Sequence, residues 1–183
     1  MTQGSGTRPI AGVILAGGQS SRMGQDKASL IWNGRSLLSH ANNLLTRTGC
    51  QTVWVSGKPD EENGIIDSEP NAGPGRALMD ALKHAQTSKL QGVLAIPVDM
   101  PKLTPDILRP LIDNPLSIAR SWKQHPLPGF FPVALANTDR TAVRSIRDLI
   151  NAGLNERPDL PENLLSCMDN INTPEEFCQL DQN

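Results

Sequence analysis

The sequence contains no tyrosine and only three phenylalanine and three tryptophan residues among its 183 positions. Proteins that bind single-stranded nucleic acid stack bases on aromatic side chains, so this composition argues against that function. The net charge of −2 gives no basic surface for nucleic acid or for an anionic membrane. No apolar run approaches the length of a transmembrane helix.

Cysteine is scarce as well. Cys50, Cys167 and Cys178 are odd in number and have neither CxxC nor metal-ligand spacing. We interpret them as reduced thiols of a cytoplasmic protein, and a catalytic thiol is the weaker alternative. Residues 1–8 are polar and glycine-rich and lack the apolar core of a signal peptide, so we expect a disordered arm there.

The chain length suits one domain with a single continuous core, and no repeat or long linker divides residues 1–183. Short apolar runs that suit buried strands alternate with amphipathic helix patterns. This alternation is typical of βαβ units with right-handed connections. We therefore predict an α/β fold, a three-layer α/β/α sandwich around a mostly parallel, Rossmann-like sheet.

Individual elements follow from the same patterns. Helices are expected over 36–48, after a turn at 71–76, from 104 with a break at Pro110, over 140–151 with Gly153 closing it, and from 173. Strands are expected over 10–15, 52–56, 65–67, 92–97, 116–119 and 130–135. Segments 124–129 and 155–163 are predicted to be loops.

The stretch 13–27 carries the strongest functional signal. Its apolar run ends in Gly17 and Gly18, and a polar loop with Arg22 and Lys27 follows. Glycines let a ligand approach backbone N–H groups, which together with the two cations suit an anion such as a triphosphate. The spacing is neither GxGxxG nor that of the P-loop. The alternative is a surface loop with incidental charge.

Polar side chains follow three other strand ends. Asp99 comes directly after the strand 92–97, between two prolines, and one or two such oxygen ligands are what Mg²⁺ takes from a protein beside phosphates. The alternative is that Asp99 only caps a turn. Ser56 and Asp67 also follow strands, and in parallel sheets ligands bind beyond the carboxyl ends. We expect all of them, with the Gly17 loop, at one edge of the sheet.

The segment Leu15-Ala16-Gly17-Gly18-x-Ser20-x-Arg22-Met23-Gly24-x-Asp26-Lys27 resembles the N-terminal signature of molybdenum cofactor guanylyltransferases, the MobA family of nucleotidyltransferases. The resemblance implies transfer of GMP from GTP to molybdenum-bound molybdopterin, release of pyrophosphate, and Mg²⁺ as cofactor. It also allows proteins that insert the cofactor, or molybdoenzyme chaperones, as partners of a monomeric enzyme. Alternatives are a nucleotidyltransferase that uses CTP or a sugar or polyol phosphate, and a non-catalytic GTP-binding regulator.

The resemblance implies roles for individual residues. The catalytic residues would be Arg22, Lys27 and Asp99. The GTP contacts would be Leu15, Ala16, Gly17, Gly18, Lys27, Ser56, Asp67, Gly73 and Asp99. Ser56 stands where the family usually has asparagine, and Gly73 begins a segment similar to the family's Gly-Pro-x-x-Gly/Ala turn.

The segment 169–176 resembles the family's closing Asn-x-Asn-Thr-Pro-Glu-Glu motif. The resemblance implies that Asn170 and Asn172 lie on the acceptor side, and that Asn172 joins Asp99 as a metal ligand. Helix capping by Thr173 is the alternative explanation of this segment.

The second half of the chain resembles the family only in patches. His125-Pro126-Leu127 is similar to a family motif near the pterin, although residues 128–130 depart from it. Arg144-Ser145-x-Arg147 also has a counterpart in the family. His40 and His84 are expected to be surface or packing residues, which leaves His125 as the histidine to test.

Overall fold

In the computed structural model of the protein, the structure describes residues 9–17, 26–69, 72–113 and 117–180. The expected disordered arm at residues 1–8 lies outside this range. The strands are β1 (Ala11–Leu15), β2 (Ile31–Trp32), β3 (Arg35–Ser36), β4 (Thr52–Ser56), β5 (Gly64–Ile65), β6 (Gly92–Pro97), β7 (Ala119–Trp122), β8 (His125–Pro132) and β9 (Asn155–Glu156). The α-helices are α1 (Leu37–Thr48), α2 (Pro74–Thr87), α3 (Pro105–Leu108), α4 (Ile146–Asn151) and α5 (Pro174–Gln179).

Seven strands form one sheet in the order β5-β4-β1-β6-β8-β7-β9, and β2 and β3 form a separate hairpin. Strand β1 pairs in parallel with β4 on one side and with β6 on the other. Strand β8 is antiparallel to both β6 and β7, while β9 runs parallel to β7. The predicted mostly parallel sheet is confirmed, with β8 as the strand that reverses direction.

Helices cover both faces of the sheet, so the predicted three layers are confirmed. Alternate residues of β1 point to opposite faces. Ile14 belongs to a core that also contains Leu45 of α1 and Ile107 of α3. Val13 belongs to a second core, with Leu78 of α2 and Leu149 of α4. None of the helices in the described part of the chain is long and apolar enough to cross a membrane.

The helix predicted over 36–48 is α1, which begins one residue later, at Leu37, and ends at Thr48. Ser36 is its N-cap, with its side chain accepting a hydrogen bond from the N–H of Ser39. Gly49 ends it in the left-handed conformation, with φ of 109°. The break at Pro110 is also confirmed, because α3 ends at Leu108 and continues as a 3₁₀ turn over Arg109–Ile112. Thr104 precedes α3 in extended conformation, but its side chain makes no capping hydrogen bond.

The segment 124–129 was expected to be a loop, and this is wrong, since β8 begins at His125. Prolines obscured the strand because they cannot donate to a sheet. The pairing of β7 with β8 has an irregularity between Trp122, opposite His125, and Ser121, opposite Gly129. Pro126 and Pro128 therefore fall in the unpaired stretch, where a missing N–H breaks no sheet hydrogen bond.

Other boundaries in the second half were also misplaced. The strand expected over 116–119 is Ala119–Trp122, and the strand expected over 130–135 ends at Pro132. The helix expected over 140–151 is a 3₁₀ turn, Arg140–Ala142, followed by α4, because Ser145 adopts an extended conformation and forms a capping box with Asp148. Its C-cap is Ala152 rather than Gly153. The segment 155–163, expected to be loop, begins with β9.

Candidate active site

Three polar side chains from distant parts of the chain meet beyond the carboxyl end of β6. We call Lys27, Asp99 and Asn172 the Asp99 cluster. The Nζ atom of Lys27 donates to Oδ2 of Asp99 at 2.8 Å and to Oδ1 of Asn172 at 3.1 Å. The side chains of Lys27 and Asp99 are only 16% and 19% exposed. One ammonium group thus joins the N-terminal signature, the β6 strand end and the closing motif.

Hydrogen bonds of the backbone hold Lys27 and Asp99 in place. Lys27 begins a 3₁₀ turn capped by Asp26, whose side chain accepts a hydrogen bond from the N–H of Ala28 at 3.2 Å. The carbonyl oxygen of Asp99 accepts a hydrogen bond from the N–H of Ile171 at 2.8 Å. This bond brings the closing motif against the end of β6.

Asn172 reaches the cluster because helix α5 begins just after it. Thr173 and Glu176 form a reciprocal capping box, as the sequence predicted. The same Glu176 carboxylate accepts a hydrogen bond from the N–H of Asn172 at 2.6 Å. Capping therefore accounts for Thr173 and Glu176, and it fixes the backbone from which the Asn172 side chain extends to Lys27.

A second group lies beyond β4, and we call Gly17, Ser56, Gly57 and Asp67 the Asp67 cluster. The buried Ser56 hydroxyl donates to Oδ1 of Asp67 at 2.7 Å. The backbones of Gly17 and Gly57 touch: a Cβ added to Gly57 would lie 2.3 Å from Cα of Gly17. Gly57 also has a φ of 82°, a conformation that favours glycine. A Cβ on Gly17 would lie 3.6 Å from Oδ2 of Asp67.

The end of β1 connects the two clusters. The carbonyl oxygen of Leu15 accepts a hydrogen bond from the N–H of Val98 at 3.2 Å, one residue before Asp99. The N–H of Ala16 donates to the carbonyl oxygen of Ser56 at 3.0 Å. Since β4 and β6 flank β1, the clusters are about two strand spacings, roughly 10 Å, apart. A nucleoside triphosphate is long enough to reach from one to the other.

The remaining expected site residues are placed less directly. Gly18 and Arg22 lie outside the described residues. Gly73 is the N-cap of α2, with φ of 92°, and Asn170 is exposed. Within the described part of the chain, no hydrogen bond joins either of these two residues to the clusters. His125 opens β8, opposite Trp122.

The sequence interpretation missed Lys58. This residue follows Gly57, and its ammonium group pairs with the carboxylate of Asp26. The pair ties the loop after β4 to the residue that precedes Lys27. A lysine directly after a strand-ending glycine was the available signal, but its partner is 32 positions away in the sequence.

The donors of the Asp99 cluster suit a metal that is held mostly by its substrate. No group of three or more His, Cys, Asp or Glu side chains within the described ranges is arranged to hold a metal ion. Mg²⁺ takes one or two carboxylate oxygens, together with phosphate and water oxygens. Asp99 and Asn172 supply two oxygens that already face a single positive charge, so these residues fit Mg²⁺ bound together with a triphosphate.

The cysteines play no part in this arrangement. All three are free thiols. Burial raises the pKa of Cys50 to about 12, so at neutral pH it is a protonated, packed side chain. The expectation of reduced thiols agrees with this structure.

Comparison with known proteins agrees with the geometry. The family model of the MobA-like NTP transferase domain matches residues 12–156, the region from β1 to β9. The chain belongs to the MobA-like NTP transferase family. The resemblance seen in the glycine-rich signature is thereby confirmed.

Two relatives of this MobA-like chain have the same name, molybdenum cofactor guanylyltransferase. A molybdenum cofactor guanylyltransferase of Xanthomonas euvesicatoria is 46% identical over 105 residues, which cover 57% of this chain and 54% of that protein. One from Rhizobium johnstonii is 32% identical over 202 residues, covering 94% and 92%.

The fold is shared with a solved structure. Molybdopterin-guanine dinucleotide biosynthesis protein A of Archaeoglobus fulgidus superposes with a TM-score of 0.72 over 94% of this chain and 97% of that one, at 17% identity. At this identity the likeness concerns the fold alone.

Proposed function

We propose that this protein transfers GMP from GTP to molybdenum-bound molybdopterin and releases pyrophosphate. The observation that carries the proposal is the Asp99 cluster, in which the ammonium group of Lys27 lies within hydrogen-bonding distance of Asp99 and Asn172 beyond the end of β6. Family membership and the names of the relatives support the same reaction.

The nucleotide would lie across the end of β1. Its triphosphate would face Lys27, with Arg22 as a second cation, and its nucleoside would face Asp67 and Ser56. Backbone groups of 15–17 would line the path between the two clusters, since Gly17 adds no side chain beside Asp67. The family resemblance adds Gly18 to these contacts. Gly73 would contact the nucleotide from the N-terminus of α2.

Mg²⁺ would be held by Asp99 and Asn172, and when bound it would neutralise charge on the triphosphate. The ammonium group of Lys27 faces both of these oxygens. Lys27 would therefore turn from Asp99 toward the phosphates when the nucleotide binds.

The reaction needs no general base. The acceptor phosphate is ionised at neutral pH, so one of its oxygens attacks the α-phosphorus of GTP directly. The bond from that phosphorus to the bridging oxygen breaks, and pyrophosphate leaves with the electron pair. The protein positions the two anions, and its cations offset their negative charge. This chemistry agrees with a site that contains a lysine and a carboxylate and, among the residues that the structure describes, no Ser-His-Asp arrangement.

The acceptor would approach from the β8 side of Asp99. The tip of the β7–β8 hairpin, with His125, lies at the same edge of the sheet as the end of β6, because β7 runs parallel to β6. Asn170, exposed beside Asp99, is the second candidate on this side. We further propose a monomeric, single-domain cytoplasmic enzyme that passes its product to cofactor-inserting proteins or molybdoenzyme chaperones.

Thermal melting with Mg²⁺ and either GTP or CTP tests the choice of nucleotide. A ligand at 100 times its Kd adds about 2.7 kcal/mol to the free energy of unfolding. For a chain of this size that corresponds to a rise in Tm of roughly 5–10 °C. We expect this rise with GTP, and a larger rise with CTP would contradict the guanylyl assignment.

A further inference from the structure

A group of charged side chains lies next to the Asp67 cluster, and we call Ser68, Glu69, Asp80 and Arg140 the Arg140 cluster. Nε of Arg140 donates to Oε1 of Glu69 at 2.8 Å, and Nη1 donates to Oδ1 of Asp80 at 2.7 Å. Its Nη2 donates to the Ser68 hydroxyl at 2.6 Å. A single guanidinium group thus contacts three side chains at once.

The three contacted residues belong to two elements of the first half of the chain. Ser68 and Glu69 lie in the loop between β5 and α2, directly after Asp67, and Asp80 lies on α2. Arg140 comes from a 3₁₀ turn 72 positions beyond Ser68. The guanidinium group therefore connects the loop that carries Asp67 to the helix behind it.

The other contacts of this loop join it to β4 and α2, and Arg140 is the residue that contacts both Ser68 and Glu69 together with Asp80. Ile66 is 77% exposed, so its side chain does not anchor the loop in a core. Asp67 accepts a hydrogen bond from the Ser56 hydroxyl, and Oε1 of Glu69 also accepts one from Nη1 of Arg76 on α2 at 3.2 Å. The Ser68 hydroxyl donates to Oδ1 of Asp80 at 3.0 Å. Ser68 adds a backbone bond, since its N–H donates to Oδ2 of Asp80 at 2.9 Å.

The Arg140 cluster is charged at neutral pH. Hydrogen bonding by Arg140 holds the pKa of the Glu69 carboxyl below its usual value. Burial is the largest single influence on Asp80 and raises its pKa, but the hydrogen bonds from Arg140 and Ser68 together outweigh burial and lower it. The hydrogen bond to Asp80 raises the pKa of Arg140. The side chains of Arg140 and Asp80 are only 19% and 12% exposed, so solvent screens their interaction less than at an open surface.

We propose that Arg140 is a positioning residue for the nucleotide: it holds Ser68 and Glu69 against α2 so that Asp67 stays in place. We call the edge of the sheet beyond the carboxyl ends of β4, β1 and β6, where the nucleotide would bind, the nucleotide edge. The inference rests on the proposed function, because it assumes that Asp67 contacts the bound nucleoside. Arg140 itself need not touch the nucleotide.

The geometry explains why arginine suits this position. A planar guanidinium presents five N–H donors in a fixed arrangement, while lysine offers one flexible point charge. Arg140→Lys can keep one ion pair, with Asp80 or Glu69, but it cannot also hold the Ser68 hydroxyl. Arg140→Met removes all three contacts at a similar side-chain length.

The test measures the Kd of GTP with Mg²⁺ by titration calorimetry, together with Tm, for wild type, Arg140→Met, Arg140→Lys and Asp67→Asn. We expect Arg140→Met to raise the Kd roughly tenfold, a size typical of coupling between neighbouring residues. Arg140→Lys should lie between wild type and Arg140→Met. Arg109→Met, which removes an exposed arginine on the other face of the sheet, is the matched control and should leave the Kd unchanged.

A double variant separates positioning from a general loss of stability. If Arg140 acts through Asp67, adding Arg140→Met to Asp67→Asn should raise the Kd no further than Asp67→Asn alone. A lower Tm with an unchanged Kd in Arg140→Met would overturn the inference, as would full additivity in the double variant. Pyrophosphate release by the wild type with GTP, Mg²⁺ and molybdenum-bound molybdopterin is measured in parallel, so that failure of the proposed function, seen as no release, is distinguished from failure of this inference.

Discussion

Strands β4, β1 and β6 lie side by side and run parallel, and each is followed within a few residues by a glycine or a polar side chain. Beyond β6 the sheet is built differently. Strand β8 runs the opposite way, its pairing with β7 is irregular, and 3₁₀ turns replace helical segments. In the first region strand order alone brings Ser56 and Asp99 to one edge, whereas in the second region placement depends on local backbone irregularities.

The difference bears on function. The nucleotide edge gathers Lys27, Asp99 and Asn172 into direct contact, which suits chemistry that is common to nucleotidyl transfer. The region around β7, β8 and β9 contains buried polar groups and prolines. We infer that the first region supplies the reaction and that the second adapts the protein to its acceptor.

The largest expected effect comes from removing the carboxylate of Asp99. We expect Asp99→Ala to lower kcat by roughly 10³-fold, because the loss of one group that stabilises charge in the transition state costs that much. Pyrophosphate release measures kcat, and circular dichroism checks the fold.

Asp106→Ala, at an exposed position in the first turn of α3, is the control and should keep full turnover. Turnover close to that of wild type in Asp99→Ala would remove Asp99 from the proposed mechanism and from the proposed metal site.

Lys27→Met should weaken GTP binding by about 10- to 100-fold, the value of one hydrogen-bonded charged partner. Without nucleotide the same change should strengthen Mn²⁺ binding, because the ammonium group no longer competes for Asp99 and Asn172. Calorimetry measures the first effect and electron paramagnetic resonance of Mn²⁺ the second.

Lys83→Met, on the exposed face of α2, should change neither quantity. Unchanged GTP affinity in Lys27→Met would count against the proposed position of the triphosphate.

Gly57→Ala tests how tightly the nucleotide edge is packed. Its Cβ would lie 2.5 Å from the backbone nitrogen of Gly17, and its φ of 82° strains an L residue. We expect a loss of at least about 2 kcal/mol in the free energy of unfolding, measured with urea, and weaker GTP binding.

Gly34→Ala is a matched control, because Gly34 has a φ of 76° but nothing within 4 Å of the added Cβ. It should cost roughly 1 kcal/mol and leave GTP binding intact. Equal losses at the two glycines would show that the contact between Gly17 and Gly57 is not tight.

The smallest effect is expected in the second region. The hydroxyl of Ser121 on β7 is fully buried and has no hydrogen-bond partner among the described residues. Ser121→Ala should raise the stability by up to about 1 kcal/mol, since it removes an unsatisfied polar group. Differential scanning calorimetry would show this as a higher Tm, and a clear fall in Tm would mean that the hydroxyl is satisfied in solution.

The sequence was most informative where structure is local. The end of α1 before Gly49 and the Thr173–Glu176 capping box follow from residue type and spacing, and the strands 52–56 and 92–97 match β4 and β6 in full. Strand β8 was missed because Pro126 and Pro128 resemble loop residues until their place in the pairing irregularity is known.

The candidate site, too, was predictable only in part from the sequence. Parallel strand order predicts that the Asp67 and Asp99 clusters share one edge of the sheet. The pairings of Lys27 with Asp99, Lys58 with Asp26 and Arg140 with Asp80 join residues 72, 32 and 60 positions apart. Such pairings depend on tertiary packing, and no local pattern in one sequence contains them.

The most direct test of the proposed function is pyrophosphate release when GTP, Mg²⁺ and molybdenum-bound molybdopterin are supplied together. We expect release that requires both substrates and is absent in Asp99→Ala. Release with CTP in place of GTP, or a folded protein that binds GTP and yet forms no pyrophosphate with the acceptor, would contradict guanylyl transfer as its function.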